Sequence, residues 1–493
     1  MQRRHMSVFL AACFSAFLLF GELTRAEDAP ATPPSAAKTQ FQDALRLIDL
    51  WLDAQAAYDR VPALSAGVVI GQDLVWKKGY GTIDQQRQVA TRADTIYGIC
   101  SISKLFTSVA VMQLWESGRF SLDDDVGKIL PSLAIRRSDP DSGPITIRSL
   151  LTHSSGFPRE ASFPYWSPPE FNFPTRQEMM QRLGEQQTFM RTSDHFQYSN
   201  LAMAVLGEVV AKVSGMPYEE YLQNQILDPL KLTDTKSYMP KGLYGKRLAQ
   251  GFGPLRRDGG RDLLRLYDAK GITPAAGLSS TVEDLARFAS WQFRLRKAGG
   301  REVLKVSTLR EMQRVQWTDP DGKTTVGLGF FVSREGKNTV AGHSGVCPGY
   351  LTSLALVLED EVAVIAMANA NDNQGLGRYT KPMRQLVLKG LKLPVAPQAA
   401  DNPDLASYAG RYGSQPWKSE NVVVPWGAGL ARLSLPTGDP VGDMVLLRHV
   451  SKDNFREVRD DDSLGAELIF QRDATGQVTG YRSWGHLSAR LAH

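Results

Sequence analysis

Cysteine is nearly missing from this sequence. Its 493 residues include three, Cys13, Cys100 and Cys347, too few for a disulfide framework. They are not clustered, the few histidines, such as His153 and His195, lack metal-ligand spacing, and there is no HExxH, so no metal site is expected. Also absent are a Gly-x-Ser-x-Gly elbow and a P-loop, and no cofactor is implied. Charge of one sign is scarce too: 57 basic against 52 acidic residues leave a formal +5. With no basic stripe interleaved with aromatics, nucleic acid is not an expected partner.

What is present begins with a targeting pattern. Arg3, Arg4 and His5 precede an apolar run from Met6 to Phe20, and Thr24 and Ala26 stand where a signal peptidase reads small residues. Residues 1–26 therefore read as a signal peptide, the run being short for a membrane span. Leu10-Ala11-Ala12-Cys13 also resembles a lipoprotein box, but lipidation there would leave the greasy stretch Phe14–Phe20 at the front of the mature chain. Export to the periplasm is the expectation, with secretion or a lipid anchor as the lesser alternatives. No stable membrane span is expected once the signal is removed. Cys100 and Cys347 then remain, either bonded to each other or as two buried free thiols.

Residues 27–40, rich in Ala, Pro and Thr, read as a flexible lead-in. Helical spacing follows from Phe41 to Tyr58, then strand candidates Leu64–Ile70 and Leu74–Tyr80 joined at Gly71-Gln72-Asp73 as a hairpin. Ser101 opens a helical pattern closed by Gly118, and further helices fit Leu201–Val213 and Tyr218–Ile226. Another starts near Ser280, where Ser280 and Glu283 have capping-box spacing. Thr325–Phe331, Leu351–Leu358 and Glu361–Met367 are strand-like. The plan is α/β or α+β over 41–393. A Pro- and Ala-rich linker, 394–403, leads to a small all-β domain, 404–493, with a supporting or pocket-capping role. Between 157 and 174, five prolines and the aromatics Phe157, Tyr165 and Trp166 suggest a stiff loop. It either walls a pocket or fills core.

Three polar islands carry the chemistry. In Ser101-Ile102-Ser103-Lys104, positions i and i+3 share a helix face, so a hydroxyl and an amine sit together near a helix N-terminus that favours developing negative charge. Serine becomes a nucleophile when a base takes its proton, which Lys104 does only when neutral. In Tyr198-Ser199-Asn200, the phenol suits proton transfer if Lys104 lowers its pKa, and the amide can meet a substrate carbonyl. The plainer reading makes Asn200 the N-cap of the helix from Leu201. In His343-Ser344-Gly345, the imidazole supplies a donor and Gly345 lets substrate approach the backbone. The N–H groups of Val346 and Ser101 would then form an oxyanion hole.

The three islands, in this order and spacing, resemble the serine beta-lactamase and penicillin-binding-protein superfamily, most closely its class C beta-lactamase-like branch. That branch also holds D,D-carboxypeptidases, D-aminopeptidases and esterases. Gly79-Tyr80-Gly81, Leu151-Thr152-His153-Ser154-Ser155-Gly156 and Gly277-Leu278-Ser279-Ser280 extend the likeness over roughly residues 58–390. The resemblance implies a nucleophile at Ser101, a general base at Lys104, proton transfer by Tyr198 and substrate binding by Asn200. It also implies an antiparallel sheet flanked by helices, a helical region beside it, and a small β-barrel-like extension. The departure is His343, where class C beta-lactamases hold a lysine that binds a substrate carboxylate. This turns the expectation from lactams toward small-molecule esters, amides or D-amino-acid peptides. The expected function is a metal-free serine hydrolase working through a Ser101 acyl-enzyme. The alternatives are a cell-wall D-amino-acid peptidase, a beta-lactamase and a non-catalytic cell-wall scaffold.

Overall fold

The computed structural model describes residues 36–393 and 404–492 apart from 134, 414 and 418, with side chains from 41 onward. The signal peptide, most of the lead-in and the linker lie outside the described residues. Helix α1, Ala36–Tyr58, begins inside the expected lead-in, whose last five residues are helical. Its buried stripe includes Leu45, Ile48, Trp51 and Leu52, the 3.6-residue spacing seen in the sequence.

Strands β1 (Ala63–Ile70) and β2 (Asp73–Gly81) form the expected hairpin. After them come β3 (Trp317–Thr318), β4 (Thr325–Val326), β5 (Phe331–Glu335), β6 (Asn338–Cys347), β7 (Tyr350–Val357) and β8 (Val362–Ala368). They make one eight-stranded sheet in the order β2-β1-β8-β7-β6-β5-β4-β3. The expected single strand Thr325–Phe331 is split, because the chain turns on itself where Gly327 N–H bonds to the Phe330 carbonyl.

The sheet is covered on both faces. Along β8, Val362, Val364, Ala366 and Ala368 pack with α1 and with α5 (Gly377–Leu391), whereas Ala363, Ile365 and Met367 join the other core. That second core holds α2 (Ser103–Glu116), α3 (Asn200–Ser214) and α4 (Val282–Ala298). A strand whose alternate residues are all apolar is what a two-faced burial demands. The cap of α4 differs from expectation. Ser280 pairs with Tyr97 in a short two-stranded ladder, so the helix starts one residue later and Thr281 caps it through Asp284 N–H.

The C-terminal strands β9 (Gly410–Gly413), β10 (Glu420–Trp426), β11 (Gly429–Leu435), β12 (Val445–Ser451), β13 (Asn454–Val458), β14 (Leu464–Arg472), β15 (Val478–Ser483) and β16 (His486–Ala489) pair in sequence. A bridge between Tyr412 and Arg490 brings the last strand back to the first, nearly closing a barrel. Tyr408, Tyr412, Phe455, Phe470 and Tyr481 fill it. Val422, Val424 and Leu433 face outward into the core shared with α1 and α5. The Trp51 indole N–H donates to the Thr437 carbonyl at 2.9 Å across that junction. The barrel thus backs α1, and none of its described residues lines the clefts at Ser101.

Candidate active site

The three islands converge. Cys100–Ile102 form a single 3-10 turn and α2 starts at Ser103, so the helix opens two residues later than the serine. The tighter turn eclipses positions i and i+3, and Lys104 Nζ lies 3.1 Å from Ser101 Oγ. Lys104 is fully buried, donating also to Asn200 Oδ1 at 2.7 Å and to the Ala275 carbonyl at 2.8 Å. Burial holds its pKa well below the usual amine value, outweighing the attraction of Glu160. A neutral amine beside a serine hydroxyl can accept its proton.

Asn200 is not the cap of α3. Ser199 is, its hydroxyl accepting from Ala202 N–H at 2.9 Å. Asn200 is the first helical residue, and its amide is spent between Lys104 and Glu160 Oε1, the latter at 2.7 Å. Tyr198 precedes it, sandwiched by rings and cations. Its ring lies 4.5 Å from that of His153, with Lys104 Nζ at 4.9 Å and the Arg159 guanidinium at 5.0 Å. The expected lowering of its pKa by Lys104 does not occur. Burial dominates and pushes the phenol up, while Ser101 and Arg159 pull weakly the other way. At neutral pH Tyr198 therefore carries its proton and stands as a donor.

His343 stands on β6 opposite Leu354, its Nδ1–H donating to the Ser344 carbonyl at 2.6 Å. Burial lowers its pKa to about 3, with Lys104 acting in the same direction whenever it is protonated, so it is a neutral imidazole. Pairing of β5 with β6 ends at Gly342. In an antiparallel ladder alternate residues turn their N–H and C=O to opposite neighbours, so Ser344 and Val346, of the same parity as Gly342, face the free edge. Gly345 is obligatory here: a Cβ would come within 2.4 Å of the Ile99 carbonyl oxygen. That close approach sets the N–H of Val346 beside the turn that presents Ser101. Cys100 and Cys347, the flanking residues, are joined in a disulfide with Cα atoms 5.6 Å apart.

Two cleft lobes meet at Ser101, Arg159 and Val346. One, of 740 Å³, holds Tyr198, His343 and Phe331; the other, of 530 Å³, holds Asn200, Glu160, Trp166 and Phe171. Of the expected aromatic wall, Trp166 alone faces a lobe. Phe157 and Tyr165 are fully buried behind it, where Tyr165 OH donates to Glu160. Sequence reasoning missed Arg159 and Glu160. Their signal was an adjacent opposite-charge pair inside a stretch otherwise built of proline and aromatics.

Fold and residue set together define a serine hydrolase. The Beta-lactamase family model matches residues 48–389, and the chain belongs to that family. It is 26% identical over 373 residues to the Dictyostelium discoideum protein "Beta-lactamase-like protein 2", covering 72% of this chain and 64% of that relative. It is 27% identical over 367 residues to the "D-alanyl-D-alanine-carboxypeptidase/endopeptidase AmpH" of Escherichia coli K12, covering 72% and 90%. Among solved structures, the octameric penicillin-binding protein homologue from Pyrococcus abyssi superposes with a TM-score of 0.60 at 23% identity, covering 90% of this chain and 99% of the other. The D-amino acid amidase from Ochrobactrum anthropi SV3 gives 0.58 at 24%, covering 71% and 99%. These last two share the fold.

Proposed function

We propose that the protein is an exported hydrolase that cleaves esters or amides through an acyl intermediate on Ser101. The observation that carries the reading is the fully buried Lys104 amine, 3.1 Å from Ser101 Oγ and lowered in pKa. Lys104 takes the Ser101 proton as Oγ attacks the carbonyl, and the oxyanion is held by the N–H groups of Ser101 and Val346. As the tetrahedral species collapses, Tyr198 gives its proton to the departing oxygen or nitrogen and regains one from Lys104. Water then attacks the acyl-serine, its proton passing back through the same pair, and Ser101 leaves as a hydroxyl. The donor Tyr198 lines the larger lobe, so the leaving group lies there and the acyl group lies with Asn200, Trp166 and Phe171. A neutral His343 gives a substrate carboxylate no cation on β6, which weighs against lactams. A disulfide beside the nucleophile suits an oxidising compartment, in keeping with export to the periplasm.

A second reading, hydrolysis of D-amino-acid peptides or amides, has one observation of its own. Glu160 sets a carboxylate in the acyl lobe beside Trp166, a suitable receptor for a substrate amine. The test is a fluorophosphonate probe with intact-mass and peptide mapping, followed by p-nitrophenyl esters, D-alanyl peptides and nitrocefin assayed side by side. Labelling should fall on Ser101 and vanish in Ser101→Ala, with esters or amides turned over faster than nitrocefin. Equal labelling of a folded Ser101→Ala variant would overturn the acyl-serine reading.

A further inference from the structure

The two oxyanion donors of the proposed mechanism come from distant parts of the chain, and one covalent bond spans the gap between them. Cys100 immediately precedes Ser101, Cys347 immediately follows Val346, and their disulfide closes a separation of 247 residues. We propose that this disulfide is a positioning brace for the oxyanion hole, so that the enzyme is fully active only with Cys100 and Cys347 oxidised. The inference rests on the acyl-serine reading above.

Three features of the surroundings support it. Cys100 has φ +51, a left-handed backbone that a non-glycine residue adopts at a cost. The turn it shapes is otherwise fastened to β6 and β7 by few polar contacts, chiefly the Thr352 hydroxyl on the Ile99 carbonyl at 2.9 Å. Val346, whose N–H must be held, is 61% exposed and sits beyond the last residue paired with β5, so that only its β7 side is paired. Val346 is therefore held from the β7 side alone, through its pairing with Leu351, and cutting the bond removes the covalent link between that strand end and the turn of Ser101. Cys100 is fully buried and Cys347 nearly so, but Cys347 lines the acyl lobe, so the cleft is the side from which a small dithiol would approach the bond and a group bound on Ser101 would shield it.

Reduction is a thiol exchange. Dithiothreitol contributes two electrons and two protons, the S–S bond becomes two thiols, and the reagent closes to its cyclic disulfide. The experiment compares oxidised protein, protein reduced to two alkylatable thiols as counted by mass, and the variants Cys100→Ala/Cys347→Ala and Cys100→Gly/Cys347→Ala. Each is monitored by circular dichroism and assayed for kcat and KM on an ester substrate. The expected result is a fall in kcat of about 10- to 100-fold, less than the roughly 100- to 1,000-fold for outright loss of one oxyanion donor because the donor is loosened and not removed, with KM changed less than about threefold and the fold retained. The glycine variant separates two explanations, because glycine adopts the Cys100 backbone without strain. If tethering matters, it stays slow; recovery of full kcat would overturn the brace. So would unchanged kcat in fully reduced protein. Phosphonylation of Ser101 by the fluorophosphonate, with loss of fluoride, should slow reduction; an unchanged rate would contradict the shielding. Should Ser101 fail to label in the oxidised protein, the acyl-serine reading itself falls. Labelling at Ser101 with no effect of reduction removes the brace alone.

Discussion

The floor of the cleft around Ser101 and the interior of the C-terminal barrel are both buried, yet they bury different things. The barrel hides rings: Phe470 lies 4.7 Å from Tyr408 and 5.5 Å from both Phe455 and Tyr481, mostly in edge-on or tilted contact. Each ring removes apolar surface from water and stabilises the fold. The cleft hides Lys104, His153 and His343, and burial there takes charge away from groups that would carry it in solvent. That arrangement costs stability and leaves a base and two neutral imidazoles ready at neutral pH. Burial thus serves the fold in one region and reactivity in the other.

This contrast can be broken most severely at Lys104. Lys104→Met keeps the volume and removes the amine, so kcat/KM should fall about 100- to 10,000-fold, as for loss of a general base. The midpoint of denaturant unfolding should hold or rise, since a desolvated amine has been replaced by an apolar chain. A large loss of stability would mean that Lys104 belongs to the scaffold. The opposite pattern is expected from Phe470→Ala: about 3–5 kcal/mol less stable to urea, with kcat per folded molecule unchanged.

Next in size is a pH effect. The folded protein keeps His343 unprotonated down to about 3, whereas in the unfolded chain it binds a proton below 6.5. Between those values the unfolded state holds more protons, so stability rises with pH across that window and is lost as acid is added. His343→Gln should make the slope of unfolding free energy against pH shallower there, with His153, lowered in the same direction, supplying what remains. An unchanged slope would show that His343 is not desolvated. The smallest change is expected from Ser199→Ala. It removes the cap of α3 and its bond to the Pro158 carbonyl, costing about 1–2 kcal/mol, with kcat altered less than the other cleft variants alter it.

Much of this was legible in the sequence, for identifiable reasons. The β1–β2 hairpin was marked by apolar runs around Gly71, α1 and α2 by spacing, and the three islands by residue type and order. The barrel was half legible: Val422–Val424, Met444–Leu447, Glu467–Phe470 and Val478–Ser483, which fall in or beside β10, β12, β14 and β15, are strand-like runs in the sequence. β9, β11, β13 and β16 left no such run, because their apolar residues are interrupted by glycine, arginine or serine. The caps were misplaced by one residue at Asn200 and Ser280, where a neighbouring Ser or Thr had equal local claim and distant pairing decided. Arg159 and Glu160 were invisible as site residues, since nothing local says that a loop will fold over a helix start forty residues further along.

The sequence alone determined which groups exist and how they alternate: a serine and lysine three apart, a glycine before the exposed Val346, apolar residues on both faces of β8. Those follow from backbone periodicity, which depends on neighbours in the chain. Tertiary structure decided the protonation of the groups and the partners they meet. Lys104 is stripped of water by α3 and the Ala275 carbonyl, Tyr198 keeps its proton because burial outweighs the pull of Arg159, and Cys100 finds Cys347 across 247 residues. Desolvation and long-range pairing are properties of the packed molecule, and no local pattern encodes them.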